Sequence, residues 1–143
     1  MERIKLNLPQ QFSFSTGIAI RITDLNYGRH VGNDTFLSLI QEARQQYFLH
    51  HGYEEMNIES LGIIITDAAI EFKQQLGYGD IVRIHVAATG FDKFGFDLFY
   101  KMEIIKDNKA VLAGKAKTGI LCFDYANQKM ARVPENVKER LSR

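Results

Sequence analysis

The sequence predicts an α+β fold, an antiparallel sheet of about five strands covered on one face by a single long helix. Three observations predict it. An apolar stripe at helical spacing, Phe36, Ile40, Ala43 and Tyr47, follows the first strand pattern. Runs rich in β-branched and aromatic residues then succeed one another from Gly62 to Asp124. Short turn signals join most of these runs, and strands joined by short turns pair antiparallel.

The first strand pattern is "FSFSTGIAIRIT", where Ile18, Ile20 and Ile22 alternate with Gly17, Ala19 and Arg21. A polar loop follows, and then "NDTFLSLIQEARQQYFLHHG" reads as a helix of about five turns. Asn33 or Asp34 suits its N-cap, and Gly52 suits its stop. Leu37, Leu39 and Phe48 widen the stripe, as for a helix buried against a sheet. "GIIITDAAIEF" is the next strand, and "LGYGD" turns the chain into "IVRIHVAATG". "FGFDLFYKMEII" puts Phe94, Phe96, Leu98, Tyr100, Met102 and Ile104 on one side. "KDNK" is a hairpin signal into the last long strand, "AVLAGKAKTGILCFD". "PENVKERLSR" is a short amphipathic helix with Pro134 at its start. One helix covers only one face of the sheet. The second face carries apolar residues too, so a homo-oligomer is expected.

Composition narrows the function classes. The 143 residues are 45% hydrophobic and 24% charged, which suits one domain spanning 1–143. The net charge of +1 demands no broad basic surface, so nucleic acid is a poor partner. Cys122 is the single cysteine, so it has no internal disulfide partner. No apolar run approaches the ~20 residues of a membrane span. "MERIKLNLPQ" lacks the apolar core of a signal peptide. A cytoplasmic location is the expectation.

The stretch Thr23 to Phe36, "TDLNYGRHVGNDTF", concentrates the polar candidates Asp24, Asn26, His30, Asn33 and Asp34. Read alone, Asp24 ends a strand in an Asx turn, Asn26 is a turn residue, and Asn33 and Asp34 are helix caps. His30 is the stronger candidate for a site, because imidazole exchanges protons in the physiological range. His50 and His51 sit at a helix end, where adjacent residues do not face the same way and do not build a metal site. His85 lies among apolar strand neighbours and reads as structural. No phosphate-binding glycine loop is present, since "GYGD" is short and lacks the P-loop lysine.

The strand, the loop "DLNYGRHVGN" and the helix carrying Glu42, Ala43 and Arg44 as "EAR" together resemble the hotdog-fold acyl-CoA thioesterases. The nearest group is the 4-hydroxybenzoyl-CoA thioesterase-like family, with relatives among plant acyl-carrier-protein thioesterases. "AIEF", "KQQLGY", "GD" at Gly79-Asp80 and "CFDYANQKMARVP" extend the resemblance over about Phe14 to Leu141. It implies a curved antiparallel sheet wrapped around a central helix. It also implies a homodimer or homotetramer, with sheets paired edge to edge and active sites at the subunit interface. The implied reaction is hydrolysis of an acyl-CoA or acyl-carrier-protein thioester. No cofactor is implied, since coenzyme A is part of the substrate.

Such chemistry needs an oxyanion pocket, an activated water or attacking carboxylate, and an apolar groove. Backbone amides around Val31, Gly32 and Asn33, at a helix start, are the expected oxyanion donors. The catalytic acid of the family motif falls at Asn26, and a plant-type carboxylate falls near Gln75. An amide is not a general base. Two replacements are open. His30 could take the proton, oriented by Asp24. Alternatively Asp67, inside an apolar strand, could supply a carboxylate whose pKa burial would raise. Glu42 could support the site or pair with Gln45 or Gln46, and Arg44 reads as an exposed helix charge. Arg29, Lys73, Arg83, Lys115 and Lys117 are available for coenzyme A phosphates. The alternative function is an acyl-thioester binding protein without turnover. A hotdog hydratase ranks last, because "RHVGN" lacks the hydratase pattern.

Overall fold

A computed structural model describes residues 1–143. Strand β1 (Phe14–Ala19) leads through a 3-10 turn (Ile22–Asp24) and a loop to the long helix α1 (Asn33–His50). Strands β2 (Gly62–Phe72), β3 (Ile81–Thr89), β4 (Gly95–Lys106), β5 (Lys109–Asp124) and β6 (Lys129–Met130) follow, and α2 (Glu135–Leu141) ends the chain. The sheet order is β1-β3-β4-β5-β2, with β6 beside β5, and every pairing is antiparallel. β6 adds a two-residue pair that the alternation pattern is too short to announce. The first strand is shorter than its pattern, because Ile22 to Asp24 curl into the 3-10 turn.

The core follows from period-two and period-3.6 patterning. Phe36, Ile40, Ala43 and Tyr47 on α1 are buried against Val82, Ile84 and Val86 of β3 and Leu98, Tyr100 and Met102 of β4. The β4–β5 hairpin turns at Asp107 and Asn108, both with positive φ (51° and 63°), as a two-residue hairpin turn requires. Arg44 departs from the sequence reading. It is buried, donating from Nε to Glu55 at 2.7 Å, and its Nη1 lies 3.5 Å from the Tyr100 hydroxyl. The pair ties the loop after α1 to the helix.

The second face of the sheet carries apolar residues, Ile81 and Ile105 exposed among them, together with charged ones. His85 bonds Glu103 at 2.8 Å, and Lys117 holds both Asp67 (2.8 Å) and Asp97 (3.2 Å). The N-terminal segment crosses this face. The Leu6 amide donates to Glu71 and its carbonyl accepts from Lys115, while the Phe12 ring leans on His85. The segment covers part of this face, while Ile81 and Ile105 stay exposed on it. The open feature is β2, an edge strand of 11 residues whose outer side has no neighbour in the chain.

Candidate active site

The loop before α1 is shaped by its own backbone. The Asn26 amide donates to the His30 carbonyl (2.9 Å), the Arg29 amide donates to Asn26 (3.0 Å), and Leu25 bridges Val31. Arg29 takes a positive φ of 64° to close the turn. The Asn26 side chain accepts from the Gly28 amide at 2.8 Å. It lies beside the helix start: its Nδ2 is 3.2 Å from where a Cβ on Gly32 would sit. The His30 ring flanks the same turn, with Nε2 at 3.0 Å from a Cβ built on Gly28.

His30 Nδ1 lies 3.3 Å from the Val31 carbonyl. A carbonyl only accepts, so Nδ1 is the donor in that contact, and in the neutral ring Nε2 then keeps a free lone pair. This is the tautomer a general base needs. Asp24 is not its orienting partner. The Asp24 carboxylate accepts the Arg21 amide at 2.8 Å and also meets the Arg21 guanidinium. The backbone hydrogen bond from Arg21 foremost, and then its side chain, holds the Asp24 carboxyl below the usual range against its own burial. Its work is to close the 3-10 turn.

The helix start differs in detail from the sequence reading. The N-cap is Gly32, and no side chain caps the helix. Asn33 and Asp34 are already inside it. The Val31 amide is not available to a substrate, because it donates to the Leu76 carbonyl at 2.8 Å. The amides of Gly32, Asn33 and Asp34 make no hydrogen bond within the chain. They are the unpaired donors at the positive end of α1.

A pocket of about 330 Å³ opens at this point. His30, Val31, Asn33 and Phe36 form one wall, and Phe72, Lys73, Gln74 and Gln75 form the other. Phe36 and Phe72 meet edge to face at 5.0 Å and make its apolar floor. The second wall is held in place by the Lys73 and Gln74 amides, which both donate to Ala113, and by the Val31–Leu76 bond. Asp80 supports it from below by accepting the Gly77 amide. Gln75 thus stands in the same pocket as His30. Phe72 and Gln74 were not singled out from the sequence, and Lys73 was named only as a cation available for coenzyme A phosphates. Their only signal was the aromatic-to-turn pattern around "FKQQLGYGD".

Asp67 lies elsewhere. Ile65 pairs with Ile120 and Asp67 pairs with Gly119, so Thr66 is an extra residue in a β-bulge. The bulge turns Asp67 to the second face, with Lys117, while Ile70 and Phe72 face the helix side. Gly119 leaves the room: a Cβ there would lie 2.9 Å from Asp67 Oδ1. The expected rise in pKa is reversed. The Lys117 ammonium, and then the Gly119 amide, hold the Asp67 carboxyl below its usual range. In this chain Asp67 does not share a pocket with His30. Glu42 is exposed on α1 and makes no ion pair with a neighbour.

A single long helix seated on an open antiparallel sheet, with its unpaired first turn facing an aromatic pocket, is the architecture of the hotdog-fold thioester-processing proteins. A family model described as the thioesterase-like superfamily matches residues 20–141, and the chain belongs to that superfamily. A curated protein of Aquifex aeolicus named "Putative esterase" is 25% identical over 113 residues, which span 78% of this chain and 84% of that protein. The 4-hydroxybenzoyl-CoA thioesterase of Pseudomonas sp. strain CBS-3 superposes with a TM-score of 0.79 at 15% identity, covering 91% of this chain and 99% of that one. A 1,4-dihydroxy-2-naphthoyl-CoA thioesterase from Synechocystis gives 0.75 at 20% identity, covering 90% and 94%. These structural likenesses establish the hotdog fold.

Proposed function

We propose that the protein hydrolyses an acyl-CoA thioester in the pocket between the start of α1 and the end of β2. The observation that carries this is His30 Nε2, free to take a proton, beside the unpaired amides of Gly32 and Asn33. The thioester carbonyl oxygen would lie on those amides, where helix-dipole and hydrogen-bond donors stabilise developing negative charge. His30 would take a proton from water as the water oxygen attacks the carbonyl carbon. The C–S bond then breaks, and the imidazolium returns the proton to the leaving thiolate. The acyl group would rest on Phe36 and Phe72. Asn26 and Gln75 would orient water or substrate by hydrogen bonds. These steps use water and side chains alone, with coenzyme A entering as part of the substrate.

The coenzyme A carrier is favoured because the matching solved proteins include thioesterases named for CoA substrates. An acyl-carrier protein remains the other carrier for the same chemistry. A homodimer formed through β2 edges is part of the proposal, since an unpaired strand edge is a ready partner for a second copy. No helix is long and apolar enough to cross a membrane. A cytoplasmic location agrees with Cys122, a free thiol buried in the core whose pKa burial raises to about 11.

One observation favours a second reading, acyl-thioester binding without turnover: no carboxylate lines the pocket. Thiol release from a panel of short, long and aromatic acyl-CoAs separates the two. Turnover by wild type, lost in His30→Gln, supports hydrolysis. Saturable acyl-CoA binding with no thiol release supports the binding protein.

A further inference from the structure

The N-terminal segment forms no helix or strand before Phe14, yet it is anchored, and it reaches the strand end that walls the His30 pocket. The Leu6 amide donates to Glu71 at 2.7 Å, and Lys115 Nζ donates to the Leu6 carbonyl at 3.4 Å. The Leu6 amide foremost, and then the Lys73 and Lys115 ammonium groups, hold the Glu71 carboxyl below its usual range against desolvation. The tie is therefore charge-assisted at neutral pH. It sets residues 2–4 beside the end of β2, and a second cavity of about 330 Å³ lies between them. Ile4, Ile70 and Phe72 give this cavity its apolar surface. Ile4 borders it while 56% exposed.

Phe72 and Lys73 border both cavities, so the end of β2 is the wall between them. The Phe72 ring is the loosest part of that wall. Its cross-strand partner is Gly114, so no side chain stands directly opposite it on β5. Its aromatic neighbour is Phe36, met edge to face at 5.0 Å. Phe36 belongs to the core at 3% exposure, whereas Phe72 is 51% exposed. A half-exposed ring gives up little core packing when it is cut back.

We propose that Phe72 sets the acyl length this protein accepts, by closing the His30 pocket off from the cavity beside Ile4. The inference rests on the acyl-CoA reading of the His30 pocket and adds the substrate class: a compact acyl group, short-chain or single-ring. A cavity of about 330 Å³ is at the small end of ligand pockets, and this one must also hold the thioester. Each methylene that finds apolar cover strengthens binding about fourfold, and one left in water adds nothing. With the Phe72 ring in place, a longer chain meets the wall and its tail turns out to solvent. With the ring removed, the tail runs on past Ile70 to Ile4.

The test uses S-alkyl-CoA thioethers of increasing chain length, which bind without being hydrolysed, titrated calorimetrically into the full chain. Wild type is expected to gain about fourfold per methylene over short chains and then to level off. Phe72→Ala should go on gaining for about four further methylenes, so that long thioethers bind it on the order of a hundredfold tighter than wild type. Phe72→Leu should fall between the two. Adding Ile4→Asp to Phe72→Ala should cancel most of the gain, because a carboxylate at that exposed position keeps its water. The same plateau in wild type and both Phe72 variants overturns the proposal. A long-chain gain that survives Ile4→Asp overturns it too, as does a failure of every thioether to bind. Thiol release from the matching acyl-CoAs is measured alongside. Turnover with no dependence of chain length on Phe72 keeps hydrolysis and removes the gate. A length limit that moves with Phe72, without turnover, keeps the gate and removes hydrolysis.

Discussion

The backbone amide of Val31 donates to the carbonyl of Leu76 at 2.8 Å, fastening the loop before α1 to the turn after β2. Both residues are buried, so the tie is shielded from water. It sets the gap between the two walls of the His30 pocket. Leu76 is fully buried, and Leu76→Ala should cost about 2–5 kcal/mol. Denaturant unfolding measures that loss. Under conditions where the variant is still folded, kcat should drop more than KM rises, because the catalytic wall is the part released.

His30→Gln should lower kcat by roughly a hundredfold or more, the usual contribution of a positioned base. Acyl-CoA affinity should be little changed. Asn26→Asp should act in the opposite direction. Its Oδ1 can still accept the Gly28 amide, and a carboxylate near a helix start is electrostatically favoured. Thiol-release rates unchanged in Asn26→Asp would remove this position from the reaction.

Asp67→Asn should leave kcat close to wild type, because the bulge at Thr66 places the carboxylate on the second face beside Lys117. The stability loss should be under about 1 kcal/mol, as for exposed ion pairs. A collapse of turnover in this variant would mean that Asp67 reaches a site formed with a second subunit.

Gly95→Ala should destabilise the protein strongly. A Cβ at this position would lie 2.1 Å from the Ile120 carbonyl oxygen, and the backbone on both strands would have to separate. The cost should be about 1–3 kcal/mol or more. Thermal unfolding of Gly95→Ala against wild type measures it.

His51 should make the fold acid-sensitive. Its folded pKa lies below the unfolded value, so the unfolded chain binds the proton first as pH falls. The stability it contributes is complete above about pH 6.5, the unfolded value, and is lost as pH drops through the folded one. The unfolding midpoint of wild type should fall over that window, and His51→Gln should flatten the fall.

Much of the framework was legible along the chain. The strand from Gly62 to Phe72 and the stripe of Phe36, Ile40, Ala43 and Tyr47 appear where their periodicities put them. His30 and Asn33 do line one pocket. Arg44 was misread as exposed, because its partner Glu55 lies in a loop beyond the helix and carries no periodic signal. The second sheet face carries apolar residues as expected, but also ion pairs that no periodicity announces. Its charges pair across strands, and a segment with no strand pattern of its own crosses it.

The sequence by itself determined the elements, their order and the motif loop, because hydrophobic period and turn chemistry act over a few residues. The tertiary structure alone decided which donors and acids face the His30 pocket. Val31 lost its amide to Leu76, 45 positions further along the chain. Asp67 was turned away by one extra residue in a strand. A hydrogen bond has a single best partner, and a β-strand has a face set by parity. Both are fixed only when distant segments meet.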